Sequence, residues 1–211
     1  MRKFIAQRRF EQLELKTRIA SQLRAFHPAM RKTLLDNITD VTVALAQARH
    51  VHLAKIAEKL NRSGAEPSRE QWVRRQLAND TMDTWDIFRP LAECLLKGLV
   101  GRSVDLILDP TDLDAERCIV MVMLAYHGRA LPLLWFSFEM KPGMIQDSVT
   151  LLLAEIHRWL PAGVQVHLLA DREFHGVDML ALIEKQGWIP VIRTKGTVKV
   201  TPAVGPGCPL Q

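Results

Sequence analysis

Apolar residues recur at near-helical spacing through the first hundred residues, with polar and charged residues between them. The first such stretch runs to Pro28, where the proline interrupts the pattern. A second helix is predicted over residues 34–49, and a third, over 53–60, has its apolar residues on one face. The pattern therefore predicts a region of several helices.

A polar loop at residues 61–67 separates the third helix from a basic one. Residues 68–71, Ser-Arg-Glu-Gln, have the form of a capping box, in which the serine accepts from a first-turn amide and the glutamine reaches back to the serine amide. The helix that this box opens carries Arg69, Arg74 and Arg75. A short helix, a polar turn and a basic helix are the outline of a helix-turn-helix DNA reader. An ordinary helical bundle with a solvated basic face has the same pattern.

The pattern changes near Gly98 to short apolar runs rich in strand-forming residues. Three strands with short connections come first, so neighbours are expected to pair antiparallel, and Pro132 favours an edge position for the third. A helix, a nearly continuous apolar strand typical of a buried parallel one, a second helix and a last strand follow. The strands are predicted at residues 104–108, 119–126, 130–138, 164–170 and 188–193, and the helices at 149–160 and 176–186.

This order predicts a mixed α+β or α/β fold, with a helical N-terminal region followed by a mixed sheet with flanking helices. It is the order of the ribonuclease H-like fold. We expect a helical, DNA-binding region over residues 1–97 and a second domain, built on the sheet, over 98–200, although other α/β domains have similar orders of elements. Residues 201–211 contain three prolines and no periodicity, which favours a disordered tail.

The net charge of +5 is unevenly distributed along the chain. Residues 1–90 hold 17 Lys and Arg against 10 Asp and Glu, whereas residues 91–211 hold 11 against 13. The first part can therefore attract a polyanion such as nucleic acid. No apolar run is long enough to span a membrane, and three scattered cysteines favour a reducing cytoplasm.

Two aspartates stand at the predicted ends of strands. Asp109 follows the first strand and Asp171 follows the fourth. If these strands are neighbours, both carboxylates emerge at one end of the sheet, where open α/β sheets carry their sites. Such a pair repels itself unless a proton or a hard cation such as Mg²⁺ lies between the two groups. An aspartate after a strand also commonly caps a turn or a helix, so a structural role for each stays open.

Four blocks stand in order within residues 104–200: Leu-Asp-Pro-Thr-Asp at 108–112, Tyr-His-Gly-Arg-Ala-Leu-Pro-Leu at 126–133, Leu-Ala-Asp-Arg-Glu-Phe at 169–174 and Gly-Trp-Ile-Pro-Val-Ile-Arg at 187–193. Together they resemble the insertion-sequence transposases of the DDE class. The resemblance implies a partial ribonuclease H-like catalytic core over residues 98–200, in a protein associated with the bacterial nucleoid. It also implies cleavage and strand transfer of double-stranded DNA at element ends, two Mg²⁺ ions (Mn²⁺ can substitute) and a homodimer holding both ends.

On this sequence Asp109 matches the family's first catalytic and metal-binding aspartate and Asp171 the second. Arg172, Arg193 and Lys195 are by their chemistry candidates to contact phosphates. The family's third carboxylate is a glutamate in a downstream Tyr, Arg, Glu, Lys signature, which this sequence lacks. We therefore expect a form truncated before that glutamate and inactive as an isolated chain.

Two other functions stay open. The chain is either a binding module that grips element DNA or associates with full-length transposase as an inhibitor, or a small ribonuclease H-like nuclease. The nuclease would need Glu184 as its third carboxylate, within metal reach of Asp109 and Asp171. Glu184 lies on a predicted helix, where a solvated position is the ordinary role of a glutamate.

Overall fold

A computed structural model describes residues 2–80, 82–139 and 144–194, with the side chains of residues 2–12 and 144 excepted. Lys195 and the predicted tail at 201–211 lie outside these ranges. The chain divides into two compact units, Met1–Ile87 and Phe88–Gln211, and the division falls within a helix. The sequence had placed the change of character after residue 97, where that helix ends. No helix in the described ranges is long and apolar enough to cross a membrane.

The helical unit contains four helices and the start of a fifth. They are α1 (Arg2–Phe26), α2 (Lys32–Ala48), α3 (Leu53–Lys59), α4 (Glu66–Leu77) and α5 (Thr84–Lys97). Helices α2, α3 and α4 pack against one another, and α1 packs against α2. Their shared core consists of Ala44, Ile56, Leu60 and Val73, with Trp72 packed against it. Of these residues, Ile56 and Leu60 belong to the apolar face that the helical spacing predicted for residues 53–60.

The start of α4 differs from the sequence prediction. The helix begins at Glu66 with Ala65 as its N-cap, and Ala65 makes no side-chain cap. Ser68 therefore lies inside the first turn, and the predicted capping box is wrong. Pro67 explains the early start, because a proline is accommodated in a first helical turn, where its missing amide hydrogen has no intrahelical partner to lose.

The second unit is built on one mixed sheet of five strands in the order β3-β2-β1-β4-β5. The strands are β1 (Ser103–Asp112), β2 (Arg117–Tyr126), β3 (Arg129–Glu139), β4 (Gln165–Ala170) and β5 (Ile189–Ile192), with α6 (Met144–Trp159) and α7 (Val177–Lys185) between them. The first three strands pair antiparallel, whereas β1 with β4 and β4 with β5 pair parallel. The predicted mixed sheet with flanking helices is confirmed, and Pro132 does lie in an edge strand.

Only one face of this sheet is buried. The even-numbered residues of the central strands, such as Leu106, Val120 and Leu168, are almost inaccessible to solvent, while α6 packs on β2 and β3 and α7 packs beside β5. On the opposite face, which we call the open face, none of the described strand residues is buried. Its members in β1 and β4 are the odd-numbered residues, because successive side chains alternate between the faces.

The burial of Leu106 in the central strand β1 leads to a prediction about stability. Replacing Leu106, whose exposed fraction is 0%, with alanine should lower the free energy of unfolding by about 2–5 kcal/mol, because a cavity remains between packed layers. Urea denaturation followed by tryptophan fluorescence measures this. The matched control is Leu151→Ala on α6, where the leucine is 59% exposed and the loss should stay within about 0.5 kcal/mol. Equal losses at the two positions would contradict the assignment of the buried face.

Candidate functional site

The parallel pairing of β1 and β4 brings Asp109 and Asp171 together. The pairing runs in constant register from Ser103 opposite Gln165 to Leu108 opposite Ala170, and the two aspartates are the next residue on each chain. Neighbouring strands lie about 4.8 Å apart, so the two Cα atoms are neighbours across the sheet. Both residues are exposed. The adjacency expected from the sequence is therefore present.

One detail of that prediction is wrong, because Asp109 does not end its strand. Strand β1 continues to Asp112 through its antiparallel pairing with β2. Only the parallel ladder with β4 stops at Leu108. Asp109 thus lies on a strand that β2 holds on one side, whereas its other side borders the loop that begins at Asp171. Strand β1 fixes the backbone of Asp109, and the start of the loop after β4 fixes the backbone of Asp171.

Arg193 extends this pair into a row across the sheet. Its amide donates to the carbonyl of Ala170 at 3.2 Å, which continues the register of β5 with β4 by one residue and sets Arg193 beside Asp171. On the other side, Asp109 is opposite Met121, and Met121 is opposite Trp135. The row on the open face therefore runs from an aromatic ring through a thioether to two carboxylates and one exposed guanidinium. Sequence blocks identified Asp109, Asp171 and Arg193, but only the register adds Met121 and Trp135.

The local hydrogen bonds show that Asp171 also has a structural role. It is the N-cap of a single 3-10 turn at Arg172–Phe174, and its Oδ1 accepts the Arg172 amide at 2.6 Å. Among the described residues, Asp109 accepts only a long side-chain bond of 3.4 Å, from the Thr111 hydroxyl to its Oδ2. The capping alternative left open by the sequence is thus realised at Asp171, and it occupies one carboxylate oxygen.

Other acidic side chains do not complete a ligand set around this pair. The described residues contain no group of three or more His, Cys, Asp or Glu that could hold a metal ion. Glu184 is on α7, the helix that packs beside β5, and the geometry does not bring it to the two aspartates. Cys118 lies opposite Asp112 on the buried face, and burial raises the pKa of its thiol, with the carboxylates of Asp112 and Glu173 acting in the same direction. That thiol is therefore held neutral.

A second polar group lies on the open face, at the amino ends of the same strands. Nδ1 of His167 is 2.9 Å from Oδ1 of Asp105 and 3.3 Å from Oγ of Ser103. The side chain of His167 is 32% exposed, so this histidine is not a core residue although it lies within an apolar strand. The serine and the carboxylate share one ring nitrogen, whereas a catalytic triad needs them on opposite nitrogens. The arrangement is therefore a cross-strand polar contact.

The three arginines proposed for α4 have different surroundings. Arg69 donates from Nε to the carbonyl of Ala57 and from Nη1 to that of Gly64, both at 3.0 Å. It joins α4 to the end of α3 and to the loop between the two helices, and these contacts use two of its five N–H donors. Arg74 is 3.3 Å from Glu70, and Arg75 is exposed. In the second unit, Arg172 is exposed beside Asp171.

No protein-family model matches this chain, and a search of curated proteins found no match.

The two roles of Asp171 can be separated by substitution. Asp171→Ala should lower the free energy of unfolding by about 1 kcal/mol, because the Arg172 amide loses its acceptor. Asp171→Asn keeps an acceptor oxygen and should change it by less than about half that amount. Asp109→Ala is the control, since no cap is lost there and one of two neighbouring like charges is removed. Urea denaturation compares the three, and equal destabilisation by Asn and Ala would contradict the capping role.

Proposed function

We propose that this chain binds double-stranded DNA and carries the paired aspartates of a DDE-type transposase, with Asp109 and Asp171 as its catalytic and metal-binding residues. The observation that supports the proposal is the register of β1 with β4, in which Asp109 and Asp171 each follow the last paired residue. The four sequence blocks that resemble insertion-sequence transposases contain both aspartates and Arg193. The blocks lie in β1, at the turn from β2 to β3, at the end of β4 and at β5.

The donor set fits a hard divalent cation. Carboxylate oxygens are the ligands that Mg²⁺ prefers, and Mg²⁺ keeps several waters, so one or two carboxylates suffice for one ion. Two neighbouring carboxylates in the absence of a cation repel each other, which a bound cation relieves. Asp171 would offer the oxygen that does not cap the 3-10 turn, and Asp109 both of its exposed oxygens. Mn²⁺ has the same ligand preference and is expected to substitute.

The side chains at this site have two proposed roles, cation binding and contact with phosphate groups. Asp109 and Asp171 hold the cation, which when bound activates water and stabilises the leaving oxygen of a phosphodiester. Arg193 lies beside Asp171 and is exposed, so it can donate to a phosphate oxygen of the DNA strand held there. Arg172 can contribute a second phosphate contact, because its side chain is exposed at the start of the 3-10 turn. These roles are positioning and charge neutralisation of the backbone.

A ribonuclease H-like identity for the second unit is part of the proposal. It is supported by three antiparallel strands followed by two helix-connected parallel strands, in the sheet order β3-β2-β1-β4-β5. The helical unit supports DNA as the partner, since residues 1–87 carry 16 Lys and Arg against 10 Asp and Glu. The family resemblance adds a homodimer that holds two DNA ends, in the cytoplasm of a bacterium.

A second function is favoured by one specific observation. Among the described residues no third carboxylate joins Asp109 and Asp171, whereas the helical unit has a core of its own. A chain with these two features can bind the element ends, or associate with an active transposase, without cutting DNA. The nuclease that would use Glu184 has no such support, because that glutamate is not brought to the pair.

The proposed function predicts weak, site-specific cation binding and no cleavage by the 211-residue chain alone. Titration with Mn²⁺, followed by electron paramagnetic resonance, should give one site in the millimolar range that Mg²⁺ displaces. Asp109→Asn and Asp171→Asn should each abolish this site, because each removes a charged ligand. The chain with Mg²⁺ and duplex DNA should give no strand breaks on a denaturing gel.

The matched control is Asp105→Asn. Asp105 lies on the open face of the same strand, four residues from Asp109, and its loss should leave the cation site unchanged. Equal loss of Mn²⁺ binding in all three variants would show that only general negative charge attracts the ion. Strand breaks that disappear in Asp109→Asn and Asp171→Asn would contradict the predicted inactivity while supporting the pair as catalytic.

A further inference from the structure

Helix α4 presents a polar face away from the core of the helical unit. Val73 is fully buried in that core. At 3.6 residues per turn, Gln71 and Arg75 each point about 160° away from Val73, so the line directly opposite the core runs between them. Ser68 and Arg74 flank this line, and all four residues are exposed. Their side chains can therefore reach a partner without disturbing the packing of α2, α3 and α4.

The neighbouring arginines are bound within the protein. Arg69 donates to the carbonyls of Ala57 and Gly64. Arg62 lies over the ring of Trp72 at 4.0 Å and is 3.5 Å from Asp40. These contacts fix the loop before α4 and the inner side of the helix. They hold α4 in place and leave its outer face as the part that can engage a ligand.

The residues on the outer face of α4, by contrast, have side-chain hydrogen-bond donors available for a ligand. Neither Gln71 nor Arg75 has a hydrogen-bond or ion-pair partner within the described part of the chain. Arg74 has only Glu70, at 3.3 Å, in an exposed pair of the kind that contributes little to stability. A phosphate can therefore replace Glu70 as the partner of Arg74 at small cost.

We propose that α4 reads DNA sequence in the major groove, with Gln71 and Arg75 contacting base edges and Arg74 contacting a phosphate. This inference rests on the proposed DNA partner and specifies how it is recognised. A duplex is favoured as the occupant because the unit is positively charged and a single α-helix fits the major groove. Arg69, which the sequence had suggested as a DNA contact, becomes a residue that positions the helix.

The side chains specify which bases are read. A glutamine amide matches the donor and acceptor of adenine, and an arginine guanidinium matches the two acceptors of guanine. Residues four apart on a helix are separated by about 6 Å along its axis, which is close to two base-pair steps of about 3.4 Å. The preferred site should therefore contain an A·T pair and a G·C pair about two steps apart.

The test selects binding sites for the full chain from random DNA duplexes, with EDTA present so that no cleavage intervenes. Affinities for the selected duplex and for single-base variants are then measured by fluorescence anisotropy at several salt concentrations. Gln71→Ala should lose about tenfold discrimination at the adenine, and Arg75→Ala about tenfold at the guanine. Arg74→Ala should weaken binding to all duplexes alike and reduce the salt slope by about 1.

Two variants serve as matched controls. Gln146→Ala removes an exposed glutamine from α6, and Arg18→Ala removes an exposed arginine from α1. Neither should alter base preference. A base preference that survives both Gln71→Ala and Arg75→Ala would overturn the assignment of the reading residues. Binding that is equally tight for every duplex would overturn sequence reading but retain DNA as the partner. Absence of any salt-dependent DNA binding would overturn this inference together with the proposed partner.

Discussion

The parallel pairing of β1 with β4 is the constraint on which the candidate site depends. Asp105 and His167, which face each other in this ladder, are 62 residues apart in the chain. The register is fixed by burial, because a shift of one residue would turn Leu106 and Leu168 out of the core and bring charged side chains into it. Since Asp109 lies on β1 and Asp171 directly follows the last residue of β4, the packing that stabilises these strands also positions the two aspartates.

One face of the sheet stabilises the fold by packing, whereas the other carries the polar side chains of the candidate site. The buried positions of the first face are apolar side chains under α6 and α7, and none of those described is a charged residue, so packing sets their composition. The open face carries the exposed carboxylates of Asp105, Asp109 and Asp171, whose charges remain hydrated and so avoid the large cost of burial. Alternation along each strand makes this division possible, since adjacent residues of one strand serve opposite faces.

Much of the fold could be predicted from local patterns, and the errors arise where a contact distant in sequence decides. Short apolar runs rich in strand-forming residues predicted all five strands, but the length of β1 depends on its pairing with β2, which carries the strand past Asp109 to Asp112. A local rule also favoured Ser68 as a helix cap, although Pro67 allows α4 to begin at Glu66. Arg69 looked like any exposed arginine until the fold brought the carbonyls of Ala57 and Gly64 to it. For the same reason, neither Met121 nor Trp135 could be assigned to the aspartate row from the sequence.

The charges of the two units imply an order of events at the proposed site. A polyanion is attracted to the basic helical unit, whereas two exposed carboxylates on the open face repel the phosphates of the same molecule. Arg193 alone does not make the net charge of the row positive, because the row also contains two negatively charged aspartates. A divalent cation does make it positive, so cation binding must precede or accompany the arrival of a phosphate between Asp109 and Asp171. Binding of DNA by the helical unit has no such requirement, and therefore the two activities proposed for this chain separate by their dependence on the metal.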